Sequence, residues 1–231
     1  MIRFSMSPRR MRAIQLPVLP SGEPALALGP PPKRALALAL LNAVLALLAA
    51  GAFASPVAAH DLGGPMGGFG SGFGHPLAGF DHFLAMLAVG LWGAQMGGRS
   101  VWTLPATFPL IMCIGGIIGM FGLIPDETIR IAIAVSLMVL GGVIAAGWRA
   151  PEWAALVIVA LFALFHGYPH GQATLRAADP AAFTVGFVVS TGAIHILGIG
   201  VGYGLKGIWN GNLVRALGGV IAVCGVYFLF K

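Results

Sequence analysis

Residues 131–148 read IAIAVSLMVLGGVIAAGW, eighteen consecutive positions without a charge. A run this apolar leaves no polar face for water, and with its flanks it reaches the ~20 residues needed to cross the hydrocarbon of a bilayer as a helix. Reading outward, the span covers about 128–148, and five comparable runs cover about 74–96, 101–123, 152–168, 180–204 and 211–230. The breaks between them carry turn and charge signals: Gly97-Gly98-Arg99, Ile124-Pro125-Asp126-Glu127, Trp148-Arg149-Ala150-Pro151, the 168–180 stretch, and 206–211. The expected fold is therefore all-α, a polytopic bundle of about six transmembrane helices. Trp92, Trp102, Trp148, Trp153 and Trp209 fall near span ends, where an interfacial aromatic belt belongs.

Composition agrees. Of 231 residues 58% are hydrophobic and 9% charged, against about 25% charged in an ordinary soluble domain. The formal net charge of +6 is concentrated upstream: Arg3, Arg9, Arg10, Arg12, Lys33 and Arg34 precede the first apolar run, and from His60 onward seven basic residues face six acidic ones. That distribution belongs to a targeting segment and excludes a nucleic-acid surface. Cys113 and Cys224 lie inside apolar runs and read as packing residues.

The beginning of the chain has the layout of a secretory signal. A basic, Pro-rich stretch precedes ALALALLNAVLALLAA at 35–50, and the segment ends in Val57-Ala58-Ala59. Cleavage is expected after Ala59, with Ala52-Phe53-Ala54 as a competing site and an uncleaved first helix as the alternative. The chain thus divides into a presequence, 1–59, and a six-helix transmembrane domain, 60–231. Residues 60–74 are expected to be a flexible extracytoplasmic lead-in. A cleaved signal leaves the mature N-terminus outside, which puts Arg99, Arg149 and Lys206 on the cytoplasmic side and Arg130 and Arg176 outside.

Six histidines in so apolar a chain need a reason, because ionisable groups within spans are costly and usually functional. On this topology His75, Asp81 and His82 open the first span at its outer end, and His166 and His170 close the fourth at the same end. Glu127 lies in an outer loop and His60 at the mature N-terminus. His75 and His82, seven residues apart, fall about 20° short of two full turns and share one helix face, with Met86 four residues further on. His166 and His170 have the i,i+4 spacing that can hold one metal between two imidazoles, although Pro169 between them is expected to kink or end the helix. Asp81 points about 100° from His82 and is expected to hold an imidazole Nδ1–H on a neighbouring helix, in a second-sphere role. His195 lies ~22 Å into the fifth span, too deep to join the outer group, and reads as a second station on a path. Imidazoles with carboxylates suit Ni, Co, Zn or Cu. The candidate metal ligands are His75, Asp81, His82, Met86, Glu127, His166, His170, His195 and His60.

The segment from His75 to Trp92, HPLAGFDHFLAMLAVGLW, resembles the HPxxGxDHxLxMxAVGLW signature of the HupE/UreJ family of nickel/cobalt permeases. Phe165-His166-Gly167-Tyr168-Pro169-His170-Gly171 is similar to that family's FHGxAHG motif. In the second motif Tyr168 stands where a further histidine is usual, Pro169 replaces alanine, and the acidic position is lost, with Gln172 nearby and Thr174 in the aligned place. The resemblance implies inward passage of Ni(II) or Co(II) across a bacterial-type cytoplasmic membrane, in support of hydrogenase or urease maturation.

The expected function is thus a divalent-metal permease and not an enzyme, with no permanently bound cofactor. Its partners are the metal ion and the lipid bilayer. Because metal binding needs unprotonated imidazoles, uptake is expected to fall as pH drops through about 6.5, the unperturbed histidine value. Two other readings stay open: an intramembrane zinc hydrolase using His82, His166 and His170 with Asp81 as base, and a metal-binding accessory or sensor subunit.

Overall fold

The computed structural model describes residues 67–231 and, upstream of them, only positions 35 and 42, both helical. The expected presequence, its cleavage site and His60 lie outside the described residues. From Gly67 onward the chain forms α1 (Gly67–Ala78), α2 (Phe80–Met96), α3 (Ser100–Gly119), α4 (Asp126–Ala146), α5 (Glu152–Arg176), α6 (Pro180–Lys206) and α7 (Asn212–Leu229), with a 3₁₀ turn at Trp209–Gly211 before α7. Five of these segments are long and apolar enough to cross a membrane, and α1 with α2, bent by 79° at Gly79, makes a sixth as a broken span. The all-α expectation holds, and the chain is a multi-pass membrane protein.

α2 is the central helix. Every residue from His82 to Ala94 is buried, so it has no lipid-facing side. The outer helices are inverted relative to a soluble fold: Leu110, Ile117 and Phe121 of the α3 region, Val157 and Leu161 of α5, and Ile196 of α6 are exposed, as hydrocarbon-facing side chains should be. Helix ends are closed by local devices. Asp179 accepts a hydrogen bond from the Ala182 N–H (3.0 Å) ahead of Pro180 at the first position of α6. α4 stops at Gly147, whose left-handed conformation (φ 70°) allows Gly147 N–H to reach Ile144 O and Trp148 N–H to reach Val143 O.

Glycine lets the helices touch backbone to backbone. Gly115 and Gly119 of α3 and Gly167 and Gly171 of α5 interleave, each lying where a Cβ would strike the partner's main chain. Without a hydrophobic drive between helices in lipid, such close packing is what holds them together. Gly90 and Gly198 do the same for α2 and α6.

Four expectations need correction. Residues 67–74 are helical rather than a flexible lead-in, because Gly68 and Gly72 dock against the backbone of Asp179 and Phe183 on α6, and this packing overrides weak propensity. His75 and His82 do not share a helix face, since the break at Gly79 puts them on separate helices. α5 runs through Pro169 to Arg176 instead of ending there. The Pro169 ring removes one helical hydrogen bond, but the Tyr168 hydroxyl receives the Ile124 N–H (2.7 Å) and donates to Ile124 O (3.2 Å), and Gln172 Nε2 donates to Gly119 O (2.9 Å). These bonds fasten the segment on both sides of the proline. Trp92 also departs from the expected belt: it is fully buried and donates its indole N–H to Trp148 O (3.0 Å), while the other four tryptophans are exposed.

Candidate functional site

The interleaved glycines of α3 and α5 fix which way the α5 histidines face. Gly167 and Gly171 press on α3, so His166 and His170, one position earlier in each turn, point towards α2 and α1. His82 meets them from the first turn of α2, its ring centroid 4.8 Å from that of His166 and 4.7 Å from that of His170. His75, from the last turn of α1, stands 4.9 Å from His170. All three pairs pack edge to face. Two motifs ninety residues apart in sequence thus form one group of four imidazoles, as the shared-end reading expected, although by a different backbone route.

The hydrogen bonds decide which nitrogen each ring offers. Asp81 holds its own neighbour rather than an imidazole on another helix as expected: its Oδ1 accepts the His82 backbone N–H at 2.8 Å, and this bond brings the carboxylate back to 2.9 Å from His82 Nδ1. A carboxylate can only accept, so Nδ1 carries the proton and Nε2 holds the lone pair. Ser136 Oγ donates its single proton to Ile133 O (2.6 Å), so at 2.8 Å it must accept from His166 Nε2, leaving the lone pair of His166 on Nδ1. His195 Nδ1 lies 2.8 Å from Thr191 O, which leaves its lone pair on Nε2. These three lone-pair nitrogens are buried and have no partner, and neither nitrogen of His170 has one. Unpartnered buried polar atoms are costly and few in native proteins, so several in one region call for an explanation beyond packing.

Among the described residues no set of three or more His, Cys, Asp or Glu side chains is arranged to hold a metal ion. The rings contact one another through their edges and faces and do not aim their nitrogens at a common point.

His195 is closer to this group than its sequence depth implied. Phe108 of α3, fully buried, lies 5.6 Å from the His166 ring and 5.4 Å from the His195 ring, so one phenylalanine separates them. The reason is that α5 continues well past its histidines, placing His166 ten residues before the helix end rather than at it. Met86 sits in the apolar core. Glu127 is exposed and forms a two-pronged pair with Arg130, Oε2 to Nε at 2.9 Å and Oε1 to Nη2 at 2.6 Å, away from the imidazoles. Ser136 and Phe108 were not legible as site residues. Ser136 had one signal, a hydroxyl in the middle of the otherwise apolar 131–148 run; Phe108 had none.

The profile of the HupE / UreJ protein family matches residues 45–228. The chain belongs to this family. It is 35% identical over 159 residues to Protein HupE of Rhizobium leguminosarum bv. viciae, an alignment covering 69% of this chain and 83% of that protein. No solved structure matches it. Within the matched stretch, Tyr168 and Gln172 are the fasteners that tie α5 to the Ile124 loop and to the end of α3.

Proposed function

We propose that this HupE/UreJ protein is a permease for a divalent transition metal, Ni(II) or Co(II), and that His75, Asp81, His82, His166 and His170 form its uptake site. The observation that carries this reading is the tautomer pinning: Asp81 and Ser136 each hold one nitrogen of an imidazole, leaving the other nitrogen's lone pair buried and unpartnered. Histidine ligands in metal sites are oriented this way, and imidazole suits late first-row ions. The ion gathers the ligands as it arrives: His170 turns towards it, with no hydrogen bond of its ring to break. A site that assembles on arrival also releases, which transport requires. His195 serves as a second station beyond Phe108.

The ion moves inward across the cytoplasmic membrane, from the histidine end towards the end carrying Arg99, Arg149, Lys206 and Arg215, with the mature N-terminus outside. No resident cofactor and no covalent chemistry on a substrate are involved, and the ion serves hydrogenase or urease maturation. The test is metal flux into vesicles reconstituted with the purified protein, compared across Ni, Co, Zn and Cu. Wild type should carry Ni or Co, and His82→Ala, inserted with unchanged helical content, should not. Equal flux in the two proteins would sink the assignment.

A further inference from the structure

At the end of the bundle opposite the imidazoles, α2, α4, α6 and α7 part around a cavity of about 380 Å³. Its wall carries Arg149, Lys206 and Arg215, with Gln95 and Asn210, and no acidic side chain. Among the described residues the ion pairs join Asp81 to His82 and Glu127 to Arg130, and none reaches these three cations. Some of their charge answers helix C-termini: Arg215 Nε donates to Ala145 O (2.8 Å) in the last turn of α4, and Lys206 ends α6. A helix end carries about half an elementary charge, so the ends of α2, α4 and α6 offset roughly half of three cations, and the start of α7 at the same place adds positive charge back. The cavity is therefore electropositive, sized for a small ligand, and hostile to a divalent cation.

We propose that this cavity binds the phosphate of an anionic phospholipid. Basic pockets between transmembrane helices recognise such headgroups, with arginine supplying paired donors and lysine a point charge. The surface beside it fits the rest of the molecule. Val189, Ile196 and Tyr203 are exposed at seven-residue spacing along α6, making a lane for acyl chains, and the lane ends where Lys206 Nζ stands 5.7 Å from the Tyr203 ring centroid. The test of this site does not read metal transport, so its failure and that of the permease reading are distinguishable.

The purified protein, stripped of lipid in detergent, is titrated with phosphatidylglycerol, with phosphatidylcholine and with inorganic phosphate, and bound lipid is counted by native mass spectrometry. Phosphatidylglycerol should be retained and phosphatidylcholine lost. Arg149→Gln and Lys206→Gln should each weaken retention about fivefold, the equivalent of the ~1 kcal/mol a juxtamembrane cation contributes, while Arg149→Lys should retain the lipid. Arg215 is left intact because it also anchors α4. Equal retention of the two lipids by the wild-type protein overturns the proposal, and this comparison decides even where a variant fails to insert. Wild-type retention in a folded variant carrying both Arg149→Gln and Lys206→Gln also overturns it. Displacement of the lipid by millimolar inorganic phosphate would make this a free-phosphate site and overturn the lipid assignment.

Discussion

The α3–α5 contact gives a sharp prediction, because the protein contains its own control. A Cβ added at Gly167 would meet the Met112 carbonyl oxygen, with Met112 C at 2.8 Å and Cα at 2.9 Å, against the 3.4–4 Å of ordinary contact. All of these are main-chain atoms, so no side chain can swing aside and α3 must back away. Overpacking of this kind costs about 1–3 kcal/mol, from which the helix preference of alanine over glycine returns about 0.5–1 kcal/mol. At Gly142 of α4 the same substitution meets nothing within 4 Å, so only the favourable term remains. Gly167→Ala should therefore be less stable than Gly142→Ala by roughly 1–3 kcal/mol, the overpacking term alone. The assay is thermal unfolding in detergent followed by helical circular dichroism, with Ni(II) binding measured alongside. Moving α3 also draws Phe108 off His166, so binding should weaken in the Gly167 variant and not in the other. If Gly167→Ala melts at or above Gly142→Ala, the backbone-to-backbone contact is refuted, and with it the account of how His166 and His170 are aimed.

Three further outcomes follow from the same geometry. Asp81→Asn keeps an acceptor for His82 Nδ1 but loses the charge, so Ni(II) or Co(II) affinity by titration should fall about 10–100-fold; unchanged affinity would remove Asp81 from the site. Tyr168→Phe deletes both bonds to Ile124 and should cost on the order of 1–3 kcal/mol in unfolding experiments while metal flux per folded protein persists; loss of flux at intact stability would make the hydroxyl part of the transport path. Met86→Leu, a volume-conserving change in the apolar core, should leave metal binding intact and cost under ~1.5 kcal/mol, whereas lost binding would return the thioether to the ligand set.

The helices were legible because the membrane imposes a length and a polarity that 131–148 satisfies without reference to any neighbour. The meeting of His82 with His166 and His170 was legible from topology, since alternating spans bring the two motifs to one end. Other features depended on tertiary contact and left no periodic signal. Gly67–Ala78 is helical only because α6 accepts its glycines closely. The run through Pro169 depends on Tyr168 and Gln172, whose bonds to Ile124 and Gly119 reach elements that the spacing within the span does not reveal. His195 lies as deep in α6 as its place in the span implies, but its distance from the group depends on where α5 stops, and α5 ends at Arg176 instead of at the proline.

The break at Gly79 has a mechanical consequence. His75 and His82 sit on two rigid rods joined at one residue, and both rods lie along α6. Gly79 belongs to both: its N–H donates to His75 O (3.3 Å) and its carbonyl accepts the Phe83 N–H (2.8 Å). A Cβ at position 79 would stand 3.4 Å from both Asp81 Oδ1 and His82 Nδ1, so the pivot and the pair that orients His82 occupy the same few ångströms. The placing of His75 relative to His82 and the orientation of the His82 ring are therefore set at one point in the chain, by a single glycine.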